Sequence, residues 1–193
     1  MCWDKKLKIQ TGGRDAYKED AHHYPYEPTP YEVLERLVES EFLLSENILV
    51  DYGCGKGRVS FFLSHRTGCK AVGVEYDERM YKIALQNQRD YAGKGVCEFV
   101  CRSAEEYEIE NEDAFFFFNP FSVETLARVM RRVMESYYRN PRRMLFFFYY
   151  PNDEYLVYLM SHSELMFLDE IDCQDLFEGK NMRERIVIFE VNG

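Results

Sequence analysis

The sequence is short of positive charge. Lys and Arg number 24 against 34 Asp and Glu, a formal net charge of −10 at pH 7. That balance argues against broad, non-specific attachment to nucleic acid or to an anionic membrane, while leaving room for a small local basic site. No apolar run approaches the length needed to span a bilayer. Met1 to Gln10 carries no apolar core, so no secretory leader is expected and the reading is of a cytoplasmic protein without a membrane partner. None of the six cysteines forms a C-x-x-C pair. Cys97 and Cys101, four apart on a predicted strand, share a face without zinc-ligand spacing, so reduced thiols and no metal are expected. His22-His23 has no carboxylate or cysteine cluster nearby to complete a metal site and reads as a surface pair. Internal repeats and low-complexity linkers are also missing.

What is present is a chain of 193 residues, 46% apolar, long enough for a real core and most simply one domain over 1–193. Residues 1–25 are polar and read as a mobile or loosely packed arm. Residues 26–45 read as a leading helix or lid. Thr29 suits its N-cap, Pro30 its first position and Glu32 a capping box, and the apolar stripe Val33, Leu34, Leu37, Val38 runs on to about Leu43-Leu44. The core is expected over 46–193.

The centre of that core is Ile48-Leu49-Val50-Asp51-Tyr52-Gly53-Cys54-Gly55-Lys56-Gly57-Arg58. The first three residues predict a short buried strand. The glycines give a tight turn without Cβ obstruction, and a helix follows until about Gly68. Strand, glycine turn and helix make a nucleotide-binding layout in which free N–H groups at the helix start face an anionic end of the ligand. The spacing selects among ligands. A dinucleotide fingerprint needs G-x-G-x-x-G, and its third glycine falls on Arg58; a phosphate-binding G-x-x-x-x-G-K-[ST] is absent. Asp51-Tyr52-Gly53-Cys54-Gly55-Lys56-Gly57 instead resembles motif I of the class I, Rossmann-like S-adenosylmethionine-dependent methyltransferases.

That resemblance implies a cofactor, S-adenosyl-L-methionine, and a set of residues to hold it. Asp51 would position cofactor and turn, and the backbone at Gly53, Cys54, Gly55 and Gly57 would admit the methionine part. Lys70 to Glu75 reads as the second strand, ending in an acid 22 residues beyond Gly53, where a carboxylate accepts ribose hydroxyls; Tyr76 follows it. The turn Arg102-Ser103-Ala104-Glu105, after a third strand over Val96–Cys101, would place Ser103 and Ala104 by the adenine. Tyr24, Tyr26 and Thr29 would fold over the cofactor if the leading segment is a lid. A fourth strand over Ala114–Phe118 runs into Asn119-Pro120-Phe121. In amine-methylating relatives an (Asp/Asn)-Pro-Pro-(Tyr/Phe) motif stands there, orienting the acceptor nitrogen. This chain is one proline short, so Asn119, Pro120 and Phe121 are candidates for the methyl-acceptor pocket, and the alternative is a proline that merely ends a strand.

The remaining segments are a helix after Ser122, a strand over Met144–Tyr150, a helix from Asp153 to about Ser161, and two last strands over Leu165–Leu168 and Ile186–Phe189. With no helix between them, these two should pair antiparallel. Arg128, Arg131, Arg132, Arg139, Arg142 and Arg143 read as a solvated helix face. The resemblance implies five β-α units in a three-layer α/β sandwich, with a seven-stranded, mostly parallel sheet and a C-terminal antiparallel hairpin. The function read from it is methyl transfer to an unidentified acceptor, with nitrogen as a candidate acceptor atom; protein, RNA, DNA and a small metabolite all stay open, as does the oligomeric state. The alternatives are a non-catalytic binder of S-adenosylmethionine or S-adenosylhomocysteine, and an NAD-dependent oxidoreductase, against which Arg58 counts.

Overall fold

A computed structural model describes residues 2–14 and 26–191 of the chain. His22-His23 and Tyr24 lie outside the described residues. Seven strands form one sheet: β1 (Ile48–Tyr52), β2 (Lys70–Glu75), β3 (Val96–Cys101), β4 (Ala114–Phe117), β5 (Leu145–Tyr149), β6 (Leu165–Asp172) and β7 (Arg185–Val191). Their order is β3-β2-β1-β4-β5-β7-β6. The first five run parallel, and β7 is antiparallel to both β5 and β6. Among the described residues six α-helices accompany them: α1 (Trp3–Leu7), α2 (Tyr31–Glu39), α3 (Arg58–Thr67), α4 (Glu78–Asp90), α5 (Val123–Arg139) and α6 (Asp153–Ser161).

The alternation of the strands sends side chains to two separate cores. Leu49, Ala71, Phe116, Phe147 and Ile188 meet residues of α1 to α4 on one face, while Val50, Tyr52, Phe115, Phe117, Phe146 and Phe148 meet α5 and α6 on the other. Strands β4 and β5 pair phenylalanine on phenylalanine in register. The Phe115 and Phe146 rings stack 5.2 Å apart and those of Phe117 and Phe148 4.6 Å apart. Each buried phenylalanine contributes roughly 1.5–3 kcal/mol, and β4 and β5 lie at and beside the middle of the sheet, where strands are covered on both faces.

Several boundaries differ from the sequence expectation. The arm over 1–25 is not loosely packed in its described part. Leu7, at the end of α1, and Ile9 after it are buried because their apolar side chains join the core on the α1–α4 face of the sheet, and Thr11 is buried too. Thr29 does not cap α2. The N-cap is Pro30, at φ −58° and ψ 140°, with no side-chain cap bond, and α2 stops at Glu39, ahead of a left-handed Glu41. Five β-α units are reduced to four: between β3 and β4 there is only the 3-10 turn Ala104–Glu106, since that short, acidic connection has no apolar stripe to bury. The last two strands extend beyond their apolar cores, to Asp172 and Val191, with a bulge between Phe167 and Asp169. Strand β4 ends at Phe117 and β5 at Tyr149, just before the left-handed residues Asn119 and Tyr150. All six cysteines are free; Cys97 is buried and Cys101, at the end of β3, is exposed. Among the described residues no cluster of His, Cys, Asp or Glu has the makings of a metal site, and no helix is long and apolar enough to cross a membrane.

Candidate functional site

The sheet order reverses between β1 and β4, and the crevice outside the carboxyl ends of parallel strands at such a point is where α/β folds bind ligands. A cleft of about 550 Å³ opens there, lined from the ends of β1, β2 and β4, the turn after β3, the start of α3 and the segment 26–29. That volume lies in the range of small-molecule sites.

The glycine turn forms its floor. The N–H groups of Gly53 and Cys54 both donate to the Val74 carbonyl, at 2.9 and 3.1 Å, tying the turn to β2. Gly53 has φ +70°, and a Cβ there would fall 2.5 Å from Pro120 Cβ. Gly55 has φ +55°, and its Cβ would fall 2.2 Å from two carbons of the Tyr26 ring. The turn after β1 therefore lies directly against the turn after β4, with Tyr26 over it, and only glycine allows both approaches. Gly57 is the N-cap of α3 and gives it no side-chain cap bond. Asp51 reaches the helix instead: its Oδ2 accepts from the Ser60 N–H at 3.2 Å and hydroxyl at 2.7 Å. Burial pushes the Asp51 carboxyl up to about 7; the two Ser60 bonds oppose that rise and the Glu75 carboxylate adds to it.

Glu75 lies at the cleft end of β2. Its two oxygens accept from the Gly55 N–H and the Asp77 N–H, each at 2.7 Å. Burial raises its pKa, against the pull of those bonds. The same carboxylate therefore braces the glycine turn and starts α4, where Asp77 caps through the Arg79 N–H. Burial likewise holds the Cys54 thiol well above its ordinary range. Ser103 and Ala104 line the cleft at the turn after β3, and Tyr76 lines it beside Glu75.

The sequence candidates Tyr26, Thr29, Asp51, Gly53, Cys54, Glu75, Tyr76, Ser103, Ala104, Asn119, Pro120 and Phe121 thus meet around one cleft. Gly55 and Gly57 shape its floor from the turn itself. Two acceptor candidates are occupied differently from the sequence expectation. The Asn119 amide donates to the Tyr150 carbonyl at 2.7 Å and accepts from the Asn152 N–H at 3.2 Å, clamping the β4 end to the β5 end. The Phe121 ring is buried, edge-on to Tyr52 and Phe117. Sequence reasoning missed Phe118, Arg102 and Arg128 in the lining, and used Arg58 only as the place of a missing glycine. Of these, only Arg58 carried a signal, in its position directly after the turn.

Comparison with known proteins agrees with this geometry. Residues 49–142 match the model of a family described as a methyltransferase domain. A protein of Saccharolobus islandicus named as a protein-lysine N-methyltransferase is 38% identical over 66 residues, and that segment takes in 34% of this chain and 41% of the relative. Among solved structures, an RNA methyltransferase from Salinibacter ruber in complex with S-adenosyl-L-homocysteine superposes with a TM-score of 0.59 at 18% identity, over 86% of this chain and 94% of that one. A SAM-dependent methyltransferase from Methanosarcina mazei gives 0.61 at 12% identity, over 80% and 96%. Residues 49–142 thus match a methyltransferase domain, and the seven-stranded sheet with its cleft at the reversal has the Rossmann-like fold of the class I S-adenosylmethionine-dependent methyltransferases.

Proposed function

We propose that this protein transfers a methyl group from S-adenosylmethionine to an amine nitrogen, and that the acceptor is a lysine side chain of a protein. One observation carries the methyl-transfer reading: the glycine turn and the Glu75 carboxylate are bonded to each other at the floor of a cleft of suitable volume. The residues fit the donor. The α3 amino end suits its carboxylate, Glu75 its ribose hydroxyls, and the Ser103-Ala104 turn its adenine. Asp51 holds α3 in register with the turn.

When bound, the donor supplies a methyl group on a sulfonium, already activated for displacement. The chain's own contribution is position, which for such a transfer is the dominant effect. Asn119, Pro120 and Phe118 would border the acceptor end, with Asn119 setting the distance between the β4 and β5 turns. The lysine reading is supported by the name of the Saccharolobus islandicus relative and by the chain's charge of −10, which attracts a cationic acceptor and repels nucleic acid.

The test is transfer of radiolabelled methyl to basic proteins, RNA and small-molecule fractions, by wild type and Glu75→Ala. Label in protein hydrolysates as methyl-lysine, lost in the variant, is expected. Label in RNA would overturn the acceptor, and binding without transfer to any fraction would overturn the activity.

A further inference from the structure

Arg58 begins α3 directly after the glycine turn, with 13% of its side chain exposed. Its Nε donates to Thr11 Oγ1 at 2.8 Å and its Nη1 to the Thr29 carbonyl at 3.2 Å. Its Nη2 stands 3.8 Å from Asp4 Oδ1, and the guanidinium carbon 4.4 Å from the centre of the Tyr31 ring. Asp4 in turn accepts from the Thr11 N–H at 2.8 Å, from the Thr11 hydroxyl at 2.7 Å and from the Tyr31 hydroxyl. One guanidinium thus ties α1, the residues after it, the segment before α2 and α2 itself to the first residue of α3.

Lys56, on the other side of Gly57, adds a second tie by donating to the Gly12 carbonyl at 2.7 Å. Its ammonium lies 4.9 Å from the centre of the Tyr26 ring. The Tyr26 hydroxyl donates to the Thr11 carbonyl at 2.6 Å, and its ring covers Gly55. The residue held over the glycine turn is therefore anchored to the same short stretch, Thr11-Gly12, that Arg58 and Lys56 hold down.

We propose that Arg58 is a positioning residue for methyl-donor binding: it latches residues 4–12 onto the amino end of α3, and that strap keeps Tyr26 over the glycine turn. The inference rests on the donor reading of the cleft. Because the strap and the donor share the turn, tightening of one tightens the other by the same factor. A planar fork is needed to reach Thr11 and Thr29 at once, and lysine cannot replace it.

The experiment compares wild type, Arg58→Met, Arg58→Lys and Tyr26→Ala. Trp3, the one tryptophan of the chain, sits on α1 with its indole N–H on Glu35, so its fluorescence reports docking of the strap. In wild type, S-adenosylhomocysteine should reduce quenching of Trp3 by acrylamide. In Arg58→Met and Arg58→Lys the donor KM should rise about tenfold while kcat and the acceptor KM stay within about twofold, and the Trp3 response should vanish. Tyr26→Ala, which leaves the Arg58 bonds intact, should raise the donor KM similarly with Trp3 quenched as in unliganded wild type. A folded Arg58→Met with wild-type donor KM, or with kcat reduced and KM unchanged, would overturn the latch. Absence of calorimetric heat from S-adenosylhomocysteine on wild type would instead overturn the donor reading.

Discussion

Asp51 is the residue at which the demands of fold and site meet. It is buried, its Oδ2 is committed to Ser60, and its carboxyl titrates near 7 in the folded chain against an ordinary 3.8. Between those values the native state binds more protons than the unfolded one. The stability the protonated form contributes is complete below about 3.8 and is lost as pH rises through 7. Asp51→Asn keeps an acceptor for Ser60 and removes the proton. In urea titrations the variant should gain on wild type as pH rises through that window, by up to about 1.4 kcal/mol per unit. A difference that does not change with pH would show that burial does not hold this carboxyl protonated. Asn119 illustrates the converse. Its place after the fourth strand suggested contact with an acceptor, and the structure has its amide, on a left-handed residue, brace the left-handed Tyr150 and Asn152 at the end of β5.

At the scale of elements, β4 and β5 hold the cleft open by holding the sheet together. Phe147, fully buried on the α1–α4 face, pairs in register with Phe116. Phe147→Ala should cost about 3–5 kcal/mol, a large part of the roughly 5–15 kcal/mol that keeps such a domain folded, and chemical denaturation would measure it. A loss below about 1 kcal/mol would mean that the two cores are not packed as described. The same apolar runs explain what the sequence revealed. Buried parallel strands are continuous apolar stretches, so β1, β2, β4 and β5 were legible, and three glycines between a strand and a helix marked the turn. Elements that owe their existence to tertiary contact were not. Strand β6 carries three acids among its last four residues, Asp169, Glu170 and Asp172, so only its first four residues announced themselves. Helix α1 is five residues long, and its docking depends on Asp4, Thr11 and Arg58 meeting across more than forty positions. The helix implied between β3 and β4 gave way to a 3-10 turn because this acidic connection buries only isolated side chains such as Ile109 and has no helical apolar stripe.

On the scale of the whole molecule, sheet order brings distant pieces to one place. Residues 26–29, 51–54 with Arg58, 75–79, 102–105 and 118–121 all border a single cleft. The second and third of these announced a ligand by their own residues and spacing, while the others were assigned through the family resemblance, and the reversal between β1 and β4 is what brings them together. The charge of −10 belongs to this scale too, since it biases which macromolecules approach the cleft rather than which chemistry occurs inside it. The central claim is that the turn at 53–57 and the carboxylate at 75 together hold one sulfonium nucleoside. Isothermal titration of wild type and Glu75→Gln with S-adenosylmethionine and S-adenosylhomocysteine tests it most directly. One-to-one binding of both by wild type, weakened at least about tenfold in the variant, is the expected result, each factor of ten being about 1.4 kcal/mol. No heat from either compound on folded wild type, or equal affinity in Glu75→Gln, would contradict it.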